Sequence, residues 1–292
     1  MNIDKRVRDT GVFFYYQQGE RLRDFPQALE GILERDTVFF YDALYPLKPK
    51  ASFDLEPISL EMLHTIHSPD MVSRVKATGN YEGALYSASG TVAAAVRIYS
   101  GELTNAFVFT GFGDHHAGSD FFGGECYFNG AALAIHELRA RFGAERVAII
   151  DTDAHHGDGT WELFEKDPMV AYICLCSGQS RETNHKVDLH VPPRVSDHEY
   201  CSIVRNALRE WVRPFQPEII FWNWGYDGTA GEYGDIGLTQ GVHLDLARDI
   251  KKAALEICDG RLVVVLCGGR RRDYARLLIP GIIEILADQG VY

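Results

Sequence analysis

The sequence predicts an α/β fold with a mainly parallel sheet and helices on both of its faces. Three observations point there. Short apolar runs rich in Val, Ile and Phe recur from about residue 105 onward. Helical patterns lie between them, and clusters of polar residues directly follow the runs. Strands that alternate with helices imply βαβ crossovers, hence a parallel sheet covered on both sides.

The first hundred residues are less regular. Residues 46–57, bounded by prolines, read as a loop. Ser68-Pro69-Asp70 reads as a helix start, with Ser68 as N-cap and Pro69 at the first helical position. Residues 84–99 read as an Ala-rich helix. The strand candidates are 106–110, 146–151, 170–176, 218–224 and 261–266, each a short apolar run rich in Val, Ile and Phe as buried parallel strands are. Leu246, Ile250, Ala253, Ala254 and Ile257 recur at spacings of three and four, which is one face of a helix. No internal repeat, low-complexity linker or shift in composition interrupts the chain, so residues 1–292 read as one domain.

Composition narrows the function class. The 292 residues are 46% hydrophobic and 24% charged, an ordinary globular mixture that needs no disulfides to hold a core. Six cysteines (Cys126, Cys174, Cys176, Cys201, Cys258 and Cys267) show no disulfide framework and no C-x₂-C zinc ribbon. They read as reduced thiols of a cytoplasmic protein. Cys174 and Cys176, in a strand-like run, are expected to point to opposite faces. The N-terminal residues lack an apolar signal region, and no apolar run approaches the ~18 residues of a membrane span. A net charge of −12 disfavours nucleic acid and favours cationic substrates, although it also serves solubility. The expected partner is a small-molecule or lysine-like substrate, with no nucleic acid and no membrane; the oligomeric state is left open.

The polar clusters after the strands carry the chemistry. In open α/β sheets ligands bind beyond the carboxyl ends of the strands, so the clusters at 111–118, 151–159, 225–231 and 267–273 are expected to converge. The densest is Asp151-Thr-Asp-Ala-His-His-Gly-Asp-Gly159. In extended chain Asp151, Asp153 and His155 share a face. Two carboxylates and an imidazole buried together need a balancing cation, and a divalent ion supplies it. Asp227, between glycines after the fourth strand, completes an Asp153, His155, Asp227 set with a position left open for water. Such N/O donors suit zinc, and also iron(II), cobalt or manganese. His115 and His116 are candidate acid and base, with Asp151 and Asp158 available to fix their tautomers.

These stretches resemble the histone deacetylase superfamily, which includes acetylpolyamine amidohydrolases and acetoin-utilisation proteins and shares its fold with arginase. The likeness runs from about Leu60 to the C-terminus. It rests on residues 63–71 (LHTIHSPDM), His115-His116-Ala, Gly124-Glu-Cys-Tyr-Phe-Asn129, residues 151–159 and Gly225-Tyr-Asp227. The resemblance implies a three-layer α/β/α fold with an approximately eight-stranded parallel sheet. It implies Asp153, His155 and Asp227 as metal ligands, and His115 and His116 as acid and base, backed by Asp151 and Asp158. The implied reaction is hydrolysis of an N-acyl amide by a metal-activated water. Potassium near Asp151, Asp153 and His155 is a further implication, with Cys174 standing where the family has Ser.

Three departures from the family pattern concern the substrate. Arg270, in Cys267-Gly-Gly-Arg-Arg-Arg-Asp-Tyr274, stands where the family has the Tyr that donates to the tetrahedral oxyanion. Arg270 can itself stabilise an oxyanion, Tyr274 can replace the missing Tyr, or 270–272 form a solvated basic turn. Glu125 replaces a Phe of the acyl-lysine tunnel and requires a cationic partner, on the substrate or an Arg. Gly111-Phe-Gly-Asp114 replaces Arg-Pro-Pro-Gly. Glu125, Tyr226 and Tyr274 are expected at the substrate, and Arg270 among the catalytic residues. The leading reading is a zinc-dependent amidohydrolase with a rebuilt substrate wall. A catalytically weak metal-containing protein that binds acylated ligands, and an arginase-like ureohydrolase, are the alternatives.

Overall fold

The computed structural model describes residues 10–14, 38–42, 52–54, 56–176, 178 and 180–288, and structural statements concern these. Ten strands form a single sheet: β1 Thr10–Phe14, β2 Val38–Asp42, β3 Ser52–Asp54, β4 Asn105–Val108, β5 Val147–Asp151, β6 Val170–Cys176, β7 Arg181–Thr183, β8 Lys186–His190, β9 Ile219–Trp224 and β10 Leu262–Leu266. Their order is β3-β2-β1-β4-β10-β9-β5-β6-β8-β7. All neighbours are parallel except β7 and β8.

The three-layer arrangement is present. The sheet has ten strands where the resemblance implies about eight, with the three-residue β3 and β7 at its two edges. All five strand candidates form, within one or two residues at each end. Residues 46–57 are not wholly a loop, because Ser52–Asp54 adds to the edge of the sheet beside β2; residues 46–51 and 55 lie outside the described residues.

Alternation along each strand sorts its side chains between two cores. Ala148 and Ile150 of β5, Trp222 and Trp224 of β9, and Val264 and Leu266 of β10 face one core. Val147 and Ile149, Ile219 and Phe221, and Val263 and Val265 face the other. The second core is covered by α1 Pro69–Ala77, α2 Tyr81–Tyr99, α3 Gly130–Phe142 and α4 Asp158–Phe164. The first is covered by α5 Asp197–Ala207, α6 Gln240–Cys258 and α7 Arg272–Ala287. On α6, Leu246, Ile250 and Ala254 are fully buried, as their spacing requires. Ser68 caps α1 by accepting a hydrogen bond from the Met71 amide at 3.0 Å. No helix among the described residues is long and apolar enough to cross a membrane.

The two thiols of β6 correct an expectation. Tyr172, Cys174 and Cys176 all face the second core, whereas Ala171, Ile173 and Leu175 face the first. Residues two apart in a pleated strand share a face, so Cys174 and Cys176 lie side by side rather than opposed.

Strand order explains the convergence of the polar clusters. The strands that precede them, β4, β10, β9 and β5, are consecutive in the sheet. Being parallel, they release their loops at the same edge.

Candidate active site

Those four loops enclose a cavity of about 540 Å³, lined among others by His115, His116, Asp153, His155, Gly268 and Arg270. Its floor is built at the end of β5. The Asp153 amide donates to Asp151 Oδ1 at 3.2 Å, and the His155 amide donates to Asp153 Oδ1 at 3.0 Å. Each carboxylate thus fixes the turn that presents the next side chain. Asp227 arrives from the end of β9, where its Oδ1 accepts the Ala154 amide at 3.2 Å.

Asp153, His155 and Asp227 each present a ligand atom within 4.8 Å of the other two, as residues sharing one divalent cation would. His155 Nδ1 lies 2.8 Å from Asp227 Oδ2 and 3.1 Å from Asp153 Oδ1. The two carboxylates are buried and the imidazole is partly open to the cavity. Hydrogen bonds to Asp153 and Asp227 hold His155 up at about 10, and burial together with Asp153 pushes Asp227 up to about 6. An imidazole held charged by two buried carboxylates marks a place where a cation belongs. The donor set, two oxygens and one nitrogen, fits zinc with an open fourth position.

Glycine is required around this floor. A Cβ on Gly225 would stand 2.4 Å from Asp153 Oδ2 and 2.6 Å from Asp227 Oδ1. A Cβ on Gly268 would stand 2.4 Å from Asp153 Oδ2, to which the Gly268 amide donates at 2.7 Å. Both strand ends can pass the ligands this closely only without side chains.

Two histidine–carboxylate pairs stand beside the triad. His115 Nδ1 lies 2.9 Å from Asp151 Oδ2, and its Nε2 is 3.7 Å from Asp153 Oδ1. His116 Nδ1 lies 2.7 Å from Asp158 Oδ1. Their rings are 4.2 Å apart. The environments differ. Burial opposes the charged form of His115, but Asp151 and Asp153 outweigh it and hold the group up at about 10. Burial and the neighbouring His115 lower His116, which is only partly buried and faces the cavity. One imidazole is held charged and the other neutral near pH 7, the separation that divides acid from base. Tyr172 donates to Asp151 Oδ2 at 2.8 Å and so holds the carboxylate behind His115. Buried Asp114, before the pair, accepts the Gly130 and Ala131 amides at the start of α3.

The mouth holds the departures from the family pattern. Arg270 Nη2 lies 4.0 Å from Glu125 Oε1, and both side chains are more than 70% exposed. Glu125 is therefore solvated at the mouth and does not line an apolar wall, so the expected need for a cation is relieved by water, with Arg270 as its nearest positive charge. Glu125 takes a left-handed conformation, φ 63°, directly after Gly124 at φ 54°. The Arg270 guanidinium also lies over the Tyr233 ring, 5.0 Å from its centroid. Its backbone is fixed by Glu232, whose Oε1 accepts the Arg270 amide at 2.9 Å and the Arg271 amide at 2.5 Å.

Two tyrosines expected at the substrate are elsewhere. Tyr226 is fully buried in the first core against Trp224, beneath Gly269. Tyr226 and Asp227 are adjacent in a turn, so only one of them faces the cavity. Tyr274 does not replace the missing family Tyr. It lies on α7, and its hydroxyl donates to the Ala230 carbonyl at 2.8 Å, away from the histidines.

Sequence reasoning missed Tyr233. Its ring stacks on His155 at 5.5 Å with an interplanar angle of 22°. Its hydroxyl accepts the Gly269 amide at 3.2 Å and lies 2.8 Å from where a Gly268 Cβ would stand. A phenol therefore hangs over the Asp153 side of the floor. The available signal was an aromatic residue six positions after Asp227 in a glycine-rich stretch.

Known proteins resemble this chain in sequence and in fold. The chain is similar to a probable deacetylase of Archaeoglobus fulgidus, 32% identical over 297 residues, covering 89% of this chain and 81% of that protein. It is similar to a histone deacetylase-like amidohydrolase of Pseudomonas aeruginosa, 28% identical, covering 79% and 69%. The fold matches the crystal structure of the HDA15 HD domain with a TM-score of 0.78, at 21% identity, over 96% of this chain and 90% of that one. The histone deacetylase domain itself matches residues 75–284, the segment that supplies every side chain of the floor and both histidine pairs. By that match, and by identity across most of its length to a deacetylase, the chain belongs to the histone deacetylase family.

Proposed function

We propose that the chain is a metal-dependent hydrolase of N-acyl amides, with a small or lysine-like amine as the preferred leaving group. One observation carries this reading: two histidines, each backed by its own carboxylate, stand against the Asp153, His155, Asp227 triad in one cavity. A divalent ion held by that triad, zinc in this proposal, supplies a Lewis acid for the acyl carbonyl and makes water a better nucleophile.

The chain's own groups do the rest. His116 acts as the base. Asp158 occupies its Nδ1, which leaves Nε2 to the cavity, and its lowered pKa keeps it free to accept a proton near neutrality. His115, 2.9 Å from Asp151 Oδ2 and 3.7 Å from Asp153 Oδ1, is the second imidazole beside the triad and, when protonated, would supply positive potential where the carbonyl oxygen gains charge. The proton taken by His116 is then returned to the leaving amine. Tyr233 is proposed as the hydroxyl donor to the oxyanion, because Arg270 points outward to Glu125.

A weakly catalytic ligand-binding protein is the second reading, favoured by that outward Arg270. A ureohydrolase with two ions on one floor gains no support, since the described floor gathers a single set of three ligands. The test is turnover of a panel of N-acetyl amines, acetylated polyamines and acetyl-lysine peptides by metal-loaded protein. The proposal expects turnover that chelation abolishes and that His116→Ala lowers by about 10²–10⁴. Saturable binding of the same compounds with no turnover would establish the second reading instead.

A further inference from the structure

Behind the floor lies a second group of metal-type ligands that the proposed reaction does not use. The loop after β5 sends consecutive histidines in different directions. His155 turns to Asp227 and Tyr233, whereas His156 turns to the neighbouring strands. Register brings the others to it. In the parallel ladder Cys174 of β6 pairs with Asp151 of β5 on one side and with Asp188 of β8 on the other. Partners in register share a face, so Asp151, Cys174 and Asp188 form a row across three strands. Cys176, two residues further along β6, lies on the same face.

His156, Cys174, Cys176 and Asp188 therefore converge. One ligand atom from each lies within 4.8 Å of all the others. His156 Nδ1 is 3.1 Å from Asp188 Oδ1. Both thiols and the carboxylate are buried, and only the imidazole reaches partly to solvent, beside the Trp161 ring.

We infer that His156, Cys174, Cys176 and Asp188 form a second metal site, structural in role, for a thiophilic divalent cation of the zinc class. Three arguments carry it. Four ligands from three chain segments converge on one point, the number and arrangement of a closed tetrahedral site. Bonds of about 2.0–2.3 Å would set such ligands roughly 3.5 Å apart, and the four ligand atoms already lie within 4.8 Å of one another, with His156 and Asp188 at 3.1 Å. Two sulfurs select zinc or a similar soft ion over magnesium, calcium or potassium. On binding, the two sulfurs bond the metal as thiolates and His156 as a neutral imidazole, and the protons that this cluster holds pass to solvent.

The site has a place in the architecture. Its ion ties the loop from His155 to Asp158 to β6 and β8, on the side away from the cavity. The Cys174 neighbour Tyr172 holds Asp151, which holds His115. The loop that presents Asp153 and His155 would thus be held both by Asp227 and by the second ion.

The inference does not rest on the hydrolase proposal, and X-ray absorption separates the two, because the cavity triad contains no sulfur. Full-length protein from zinc-supplemented culture is expected to hold two zinc ions per chain, with sulfur scatterers at about 2.3 Å. Asp227→Asn should remove one ion and keep the sulfur signal. Cys176→Ser should remove the sulfur-ligated ion; if that variant does not fold, the unmodified protein's spectrum still decides. A zinc spectrum with only nitrogen and oxygen neighbours overturns the inference. So does an intact mass two hydrogens short, which would show Cys174 and Cys176 joined as a disulfide.

Discussion

The floor and the mouth of the cavity are built on opposite terms. On the floor Asp151, Asp153, Asp227 and His115 are buried, and each is held by a backbone amide or a neighbouring side chain. At the mouth Glu125 and Arg270 face each other at 4.0 Å, in water. Charges buried among fixed dipoles interact strongly, whereas exposed pairs are screened and worth little. Chemistry that needs ångström placement belongs to the floor. Choice of substrate belongs to the mouth, where a side chain can change without disturbing the fold. Tyr233 connects the two, with its ring stacked on His155 and the Arg270 guanidinium lying over that ring.

The largest effect is expected on the floor. Asp227→Asn keeps the oxygen that accepts the Ala154 amide but removes the negative charge from the triad. The fold should persist while the cavity ion and turnover fall to background, as metal content and kcat would show. A variant that retained both would remove the triad from the mechanism. Tyr233→Phe comes next. The ring still stacks on His155, so the ion should stay, but the hydroxyl is gone. A fall in kcat of about 10²–10³ with little change in KM is expected for loss of an oxyanion donor. Unchanged kcat would return Tyr233 to the mouth as a wall residue.

The floor should also be the part sensitive to acid. Two fully enclosed neutral histidines brace its loops. His67 accepts the Asn129 amide at Nε2 and lies 2.8 Å from the Gly118 carbonyl at Nδ1. His243 accepts the Trp224 indole N–H at Nδ1 and meets the Thr229 hydroxyl at Nε2. Burial lowers both to about 4. In the unfolded chain they take up protons near pH 6.5, so the unfolded state binds more protons between pH 6.5 and 4. The stability that these two histidines contribute is therefore full above about pH 6.5 and falls as pH drops through that window, by up to about 3 kcal/mol for each. Denaturant unfolding at pH 7 and pH 5 would measure it. Asp114 and Asp227, pushed up by burial to about 7 and about 6, act in the opposite direction over the same range. The test is therefore a difference: His243→Gln should lose less stability than the unmodified protein between pH 7 and pH 5, and equal losses would contradict the bracing.

Legibility in the sequence follows the same division. The floor could be read because its residue types sit immediately after apolar strands, and strand ends in a parallel sheet share an edge. Five central and neighbouring strands were legible from Val and Ile runs. β1 was not, because five residues with no periodic context resemble any apolar run. The hairpin of β7 and β8 was missed although Val187 and Leu189 alternate with Lys186, Asp188 and His190, because five residues of alternation paired with a polar three-residue strand make a weak signal. Glu125 and Arg270 could be marked as departures, but their pairing depends on a turn with two successive left-handed residues. Tyr226 and Tyr274 were misplaced because an aromatic next to a motif has no fixed direction. The thiol cluster required the register of β6 on β8, which links residues by pairing across the sheet and not by spacing.

The smallest effect is expected at the mouth, and it discriminates most finely. Arg270→Tyr restores the family's residue at the end of β10. If Tyr233 supplies the oxyanion donor, the restored Tyr is redundant, and kcat on an acetyl-lysine peptide should change less than about fivefold. If the missing Tyr is what limits the rate, kcat should rise by about 10², the lower range for such a donor. Glu125→Gln serves as the control, because it breaks the ion pair without adding a hydroxyl. It should alter KM for charged substrates by less than about tenfold, more at low salt than at high, since exposed charges are screened. A large gain in kcat from Arg270→Tyr alone would transfer the oxyanion role from the loop after β9 to the loop after β10. Outward Arg270 would then be a lost catalytic group instead of a substituted one.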